Sequence, residues 1–330
     1  MLPTTDRFFE FRFESIGGLG AHAAGQILAT AAVFRMGYNA AQFSSYGSEK
    51  KGSLVRTFVR LGPSDRPVRT SAPVDAPDVI VVFHAALLRN PVTFSGLRAN
   101  GVLIYNSPVD MPPDVLAKLP RGARVIRVDA LAIAVAEKSR PNAALLGTLS
   151  SALRFIDIDA VRLAMSAELG DKHPEAVAAA ERAFVRGSVE LVESDQRGGV
   201  DGDLPVVKVE PAWGYKTQWP GGIVPFPGNT VWNDLSTSRT GWIPVLDRAV
   251  CTHCGSCDLV CSDFCFVWDA GEPGGKYARE LKGIDYQYCK GCMRCVESCP
   301  SGALKKTAES PGLAAGLRVV KFPGLLGVAP

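Results

Sequence analysis

Eight of the nine cysteines in this 330-residue chain fall into two runs of identical spacing. Cys251, Cys254, Cys257 and Cys261 read C-x-x-C-x-x-C-x-x-x-C, and Cys289, Cys292, Cys295 and Cys299 repeat the pattern. Thiolates are soft metal ligands. Three of them, two residues apart, can be aimed by a tight loop at successive irons of one cubane cluster. Where a chain carries two such runs, the fourth cysteine of each serves the other cluster. The spacing therefore assigns Cys251, Cys254, Cys257 and Cys299 to one [4Fe-4S] cluster, and Cys289, Cys292, Cys295 and Cys261 to a second. Paired zinc sites are the alternative, but zinc motifs usually join two C-x-x-C knuckles far apart in sequence. The ninth cysteine, Cys265, reads as a small buried residue beside the first cluster, with a ligand exchange against Cys261 as the sharper reading. Ser262 stands where the second run has Pro300. His253, between two ligands, reads as a surface or supporting residue, and 269–283 reads as a hairpin extension between the runs.

The elements that must carry these residues divide the chain by composition. Residues 1–191 are rich in Ala, Val and Leu and contain no cysteine. Extended, β-branched runs at 8–16, 53–61, 77–85, 100–108 and 123–130 read as strands, several of them buried on both faces. Helical periodicity covers 131–138, 144–155, 159–169 and 175–192. Strands alternating with helices predict an α/β domain of Rossmann-like type with a mostly parallel sheet. Residues 192–240 turn rich in Gly and Pro and carry Trp213, Trp219 and Trp232, which reads as a linker or wrapping arm. Residues 241–310 form the cysteine module, a small α+β domain, and 311–330 a tail.

One further stretch has a chemical reading. Ile16-Gly17-Gly18-Leu19-Gly20 follows a strand and opens a helix, the setting in which backbone amides can face an anion. Close packing of helix on strand is the competing reading. Ala23 stands where a third glycine falls in the dinucleotide fingerprint, and no acid lies about 20 residues on to hold a ribose, so a nicotinamide site is not expected. The polar stretch 44–53 reads as an exposed loop at strand ends.

Composition excludes other classes. A net charge of +3 gives no basic face for nucleic acid. No apolar run is long enough to span a bilayer, and the N-terminus has no secretory pattern. A cytoplasmic setting keeps the thiols reduced and available for metal. No Gly-Asp-Gly followed by a distant Asn provides a thiamine diphosphate and magnesium site, so the chain is not expected to catalyse carbon chemistry alone.

In order along the chain, the glycine turn, Tyr46-Gly47-Ser48-Glu49-Lys50-Lys51-Gly52, Asn142 to Gly147, and Ala183-Phe184 to Gly187 resemble the gamma subunit of the 2-oxoacid:ferredoxin oxidoreductases. Gly241-Trp242-Ile243-Pro244-Val245, Ile284-Asp285-Tyr286 and the paired cysteine runs resemble the delta subunit, a bacterial-ferredoxin-like module. The resemblance implies a fused gamma–delta electron-transfer subunit. It implies alpha and beta partner subunits holding thiamine diphosphate, Mg2+ and a further [4Fe-4S] cluster, in a hetero-oligomer that decarboxylates a 2-oxoacid such as pyruvate. Electrons then pass to ferredoxin or a similar acceptor. It also implies that the gamma part borders the active site, with Gly18, Gly20, Tyr46, Gly47, Glu49 and Lys51 as contacts there or to coenzyme A. Ser48 and Ser53 depart from the family's common proline and glycine. A nucleotide-binding module with a structural iron–sulfur domain is the alternative.

Overall fold

The computed structural model describes residues 2–3, 6–46, 54–170, 174–194, 199–207, 220–221, 234–239, 241–310 and 312–323. The chain divides into two compact units, Met1–Val207 and Lys208–Pro330.

The first unit runs β1 (Phe9–Ile16), α1 (Ala21–Phe34), β2 (Asn39–Tyr46), β3 (Leu54–Gly62), β4 (Val79–Val82), β5 (Val102–Asn106), α2 (Pro113–Leu116), β6 (Arg124–Val128), α3 (Ala130–Glu137), α4 (Pro141–Ala152), α5 (Ile158–Leu169), α6 (Pro174–Val189) and β7 (Leu191–Glu193). The sheet order is β2-β3-β1-β4-β5-β6-β7. β1, β4, β5 and β6 pair in parallel, while β3 and β7 run antiparallel to their neighbours. β2 pairs antiparallel with β3, so five of the seven strands share one direction. The fold is the expected α/β class with a mostly parallel sheet. Two strands depart from the reading of the sequence. β2 was not among the expected strands, and it runs through Ser44, Ser45 and Tyr46, which the polar composition suggested was loop. Backbone pairing with β3 and the Ser44 Oγ–Thr57 Oγ1 hydrogen bond of 2.8 Å hold it extended. β7 is three residues long, too short to show a period, and it caps the edge against β6.

β4 and β5 are wholly buried, as strands covered on both faces must be. One apolar layer, with Phe11, Phe13, Leu28 and Leu146, packs beneath α1, α4, α5 and α6. The other, with Ile80, Leu97 and Tyr105, lies on the opposite face. Residues 199–207 return to this unit, with Leu204 N donating to Leu97 O at 2.8 Å.

The second unit contains β8 (Trp242–Leu246), α7 (Ser256–Leu259), β9 (Phe266–Ala270), β10 (Arg279–Ile284), α8 (Arg294–Glu297), β11 (Leu304–Ala308) and α9 (Leu313–Leu317). β8 pairs antiparallel with β11, so the first strand meets the last. β9 and β10 form the expected hairpin between the cysteine runs. The core is small, with Ile243, Phe266, Leu281, Ile284, Tyr286 and Leu304 packed among cysteines. So small a core is where bound metal usually supplies much of the stability. Residues 312–323 pack onto this unit. Arg318 pairs with the buried Asp285 at 2.6 Å, and Val319 N donates to Ile284 O at 3.0 Å.

Candidate metal centre

Each cysteine run is a loop that ends in one turn of helix, α7 or α8. Three left-handed residues set each loop, at matching offsets. They are His253, Gly255 and Phe264 in the first run, and Gly291, Met293 and Gly302 in the second, with φ between 49° and 81°. The two loops share one backbone course although their side chains differ. His253, Phe264 and Met293 adopt a conformation that L-residues favour little. His253 is compensated locally, since its Nδ1 accepts from Leu281 N at 2.9 Å and its ring packs on Tyr277. These contacts support the loop backbone beside Cys254.

The loops ring two small cavities. Cys251, Cys254, Cys257 and Cys299 line one, with Leu246, Leu281 and Leu304 in its walls. Cys261, Cys289, Cys292 and Cys295 line the other. Each cavity thus takes three thiols from one run and one from the other, the grouping assigned from the spacing. All nine thiols are free. Among the described residues no three His, Cys, Asp or Glu side chains converge as a one-ion site requires; the thiols surround a space instead. Soft sulfur donors around a cavity, four from the two runs at each, fit a four-iron cluster. Cys254 and Cys292 are exposed, whereas Cys257, Cys289 and Cys295 are buried.

Cys265 lies elsewhere than expected. It lines the second cavity, with its Sγ 3.4 Å from that of Cys261. Because Cys261 crosses to the second cavity, the residue that follows it at the next turn goes there too.

The thiols are unequal before any metal binds. The hydrogen bond from Cys265 pushes the Cys261 thiol down to about 6, aided by backbone amides. The same donor lowers Cys289, while Cys265 itself is raised by bonding to both. Ser256 lowers Cys254. Burial pushes Cys257 up to about 12 and also raises Cys295. Thiolate is the metal-binding form.

Charged and polar groups brace the loops. Lys290 is buried; its Nζ donates to Ser262 Oγ at 3.0 Å and lies 3.4 Å from Asp263, joining the two runs. Ser262, where the other run has proline, is therefore an acceptor for this lysine. Arg239 donates to the carbonyls of Tyr286 and Cys289 and pairs with Glu309 at 2.9 Å. Tyr286 Oη donates to Pro244 O at 2.7 Å. Sequence reasoning missed Lys290 and Arg239 because neither spacing nor residue type sets them apart from surface cations.

In the first unit, Gly18 and Gly20 have φ of 106° and 84° and lead into α1. A Cβ on Gly20 would lie 2.8 Å from Asn142 Nδ2, and one on Gly25 2.5 Å from Thr57 Cγ2. Close packing accounts for Gly20 and Gly25, while a Cβ on Gly18 would meet open space. Tyr46 is exposed at the end of β2, and its ring centroid lies 6.1 Å from that of His22 near the start of α1. The glycine turn and Tyr46 thus come to one edge of the unit. Gly47, Glu49 and Lys51 lie outside the described residues, as do Trp213, Trp219 and Trp232.

The fold and the site together define an α/β domain joined to an iron–sulfur binding module. Residues 10–189 match the family described as pyruvate ferredoxin/flavodoxin oxidoreductase, and 283–305 match the 4Fe-4S binding domain. The chain belongs to the first family and carries the second domain after it. It is 34% identical over 193 residues to pyruvate synthase subunit PorC of Thermotoga maritima, covering 58% of this chain and 98% of that protein. It is 35% identical over 174 residues to the common gamma subunit of the pyruvate/ketoisovalerate oxidoreductases of Pyrococcus abyssi, covering 51% and 92%. Among solved structures, the pyruvate oxidoreductase subunit PORC of Thermotoga maritima aligns with a TM-score of 0.49 at 30% identity, covering 58% of this chain and all of that one. Among the described residues no helix is long and apolar enough to cross a membrane.

Proposed function

We propose that this chain is the fused gamma–delta electron-transfer subunit of a thiamine-diphosphate-dependent 2-oxoacid oxidoreductase complex in the cytoplasm. Two [4Fe-4S] clusters are held by Cys251, Cys254, Cys257 and Cys299, and by Cys289, Cys292, Cys295 and Cys261. The observation that carries the reading is the pair of cavities with interleaved thiols, on a chain whose other unit belongs to the pyruvate oxidoreductase family. When bound, such clusters supply one-electron redox chemistry. The chain's own part is to hold and shield them. Leu246, Leu281 and Leu304 limit water at the first site, and Lys290 and Arg239 brace the loops at the second. The exposed Cys254 and Cys292 mark where each site comes nearest to a redox partner.

The carbon chemistry belongs to alpha and beta partner subunits that hold thiamine diphosphate, Mg2+ and a further [4Fe-4S] cluster. Support comes from the relatives, which are named as subunits of pyruvate synthase and ketoacid oxidoreductases. The α/β unit borders the active site through Gly18, Gly20 and Tyr46, with Gly47, Glu49 and Lys51 beyond them, where coenzyme A is the proposed ligand. Ferredoxin or a similar carrier takes the electrons. The experiment is anaerobic co-purification from the native source, followed by addition of pyruvate and coenzyme A. Thiamine-binding subunits and bleaching of this chain's visible iron–sulfur absorption are expected. Co-purification without such subunits, or clusters that stay oxidised with every 2-oxoacid tried, overturns the assignment.

A further inference from the structure

The second cavity holds one thiol more than a cluster needs. A four-iron cubane takes one cysteine per iron, yet five cysteines line this space: Cys261, Cys265, Cys289, Cys292 and Cys295. Three of them belong to one run and take three irons. The fourth iron has two candidates, Cys261 and Cys265, whose sulfurs are 3.4 Å apart. We propose that Cys265 is a reserve ligand for the iron served by Cys261.

The internal repeat shows that packing alone does not require a thiol there. Four residues after Cys299, at the same offset as Cys265 from Cys261, stands Ala303. It is 1% exposed and lines the first cavity. The turns between are alike, with Gly302 at φ 66° matching Phe264 at φ 49°. An alanine thus fills this corner of one cavity, and in the other the corner carries sulfur. Phe264 is 64% exposed and held in the left-handed region, at the turn that sends the chain back to the cavity.

The position of Cys265 is fixed from both sides. Its carbonyl accepts from Asp285 N at 2.7 Å, four residues before Cys289, and the residue after it opens β9. The preceding loop is tied to the other run by Lys290 through Ser262 and Asp263. Cys265 is 4% exposed, so solvent cannot easily compete with it for a vacated iron. The exchange is balanced and involves no change of oxidation state. Cys265 gives up its thiol proton and binds iron as thiolate; Cys261 leaves and takes up a proton.

The inference rests on the proposed second cluster, and the test separates the two. The anaerobically purified full chain should carry about eight irons. About four or none in the wild type refutes the second cluster itself. Given about eight, Cys261→Ser is expected to keep a four-iron second cluster with an altered electron paramagnetic resonance spectrum. Cys261→Ser/Cys265→Ser is expected to lose it, leaving the first cluster intact as the control for folding. A three-iron or empty second site in Cys261→Ser, or a four-iron site that survives in the double variant, overturns the proposal. A second measurement does not depend on those variants folding. Cys265→Ser should lose iron from the second cluster to a chelator several-fold faster than wild type, with loss from the first unchanged. Equal rates at the second cluster overturn it.

Discussion

The crossing of α4 and α6 gives the sharpest prediction about the α/β unit. Gly147 on α4 and Gly187 on α6 face each other's backbone. A Cβ on Gly147 would lie 2.0 Å from Phe184 O, and one on Gly187 2.1 Å from Ala144 O. Both distances fall more than about 1 Å short of ordinary van der Waals contact. Thr148 Oγ1 donates to Gly187 O at 2.7 Å across the gap. In Gly147→Ala the helices must part. Overpacking costs about 1–3 kcal/mol, and loss of the Thr148 bond about 1 kcal/mol more. Helix propensity alone favours alanine by about 1 kcal/mol. The net is a destabilisation of about 2 kcal/mol, which lowers Tm by roughly 4–8 °C for a unit of this size. Thermal melting of the full chain by far-ultraviolet circular dichroism reads it. The double variant Gly147→Ala/Gly187→Ala should fall short of the sum, because helices already parted accept the second methyl more cheaply. A Tm that is unchanged or raised in Gly147→Ala refutes the close crossing, because propensity would then be the only effect at work.

Three further outcomes follow. Cys257→Ser should remove the first cluster alone, halving the iron from about eight to about four per chain while the second remains reducible; equal loss from both sites contradicts the ligand grouping. Tyr286→Phe leaves the Pro244 carbonyl without its 2.7 Å donor in a buried setting, and chemical denaturation should show the cysteine module weakened by about 1–2 kcal/mol. Burial, with Arg89 adding to it, holds the His84 imidazole below its usual value of 6.5. In the fold its neutral Nδ1 accepts from Ala86 N at 3.1 Å. With the folded value the lower one, this stability is present above about 6.5 and is lost as pH falls through the folded value. Urea midpoints of the α/β unit should therefore decline from pH 7 to 5, and His84→Asn should flatten the decline.

Much of this was legible in the sequence, for identifiable reasons. Ligand spacing is a local code. C-x-x-C-x-x-C fixes which thiols share a loop, and the fourth cysteine follows from the repeat. β4 is a continuous β-branched run and β5 an apolar run up to Asn106, so their burial could be read directly. α4 and α6 were visible as helices, but the meaning of their glycines was not, because close approach across 40 residues leaves no periodic mark. β2 was missed because Asn39 to Tyr46 contains no β-branched run and ends in the loop-like Ser44, Ser45 and Tyr46; only pairing with β3 makes it strand. Cys265 was placed at the wrong cavity because sequence proximity to the first run says nothing about which way the chain turns after Cys261. Here the turn is made by a left-handed Phe264, a residue no propensity rule puts there.

The most direct measurement is iron and acid-labile sulfide analysis with Mössbauer and electron paramagnetic resonance spectroscopy on the anaerobically purified chain. About eight irons and eight sulfides, with interacting signals from two reduced four-iron clusters, are predicted. Zinc at these sites, or cysteines joined pairwise as disulfides, contradicts the account.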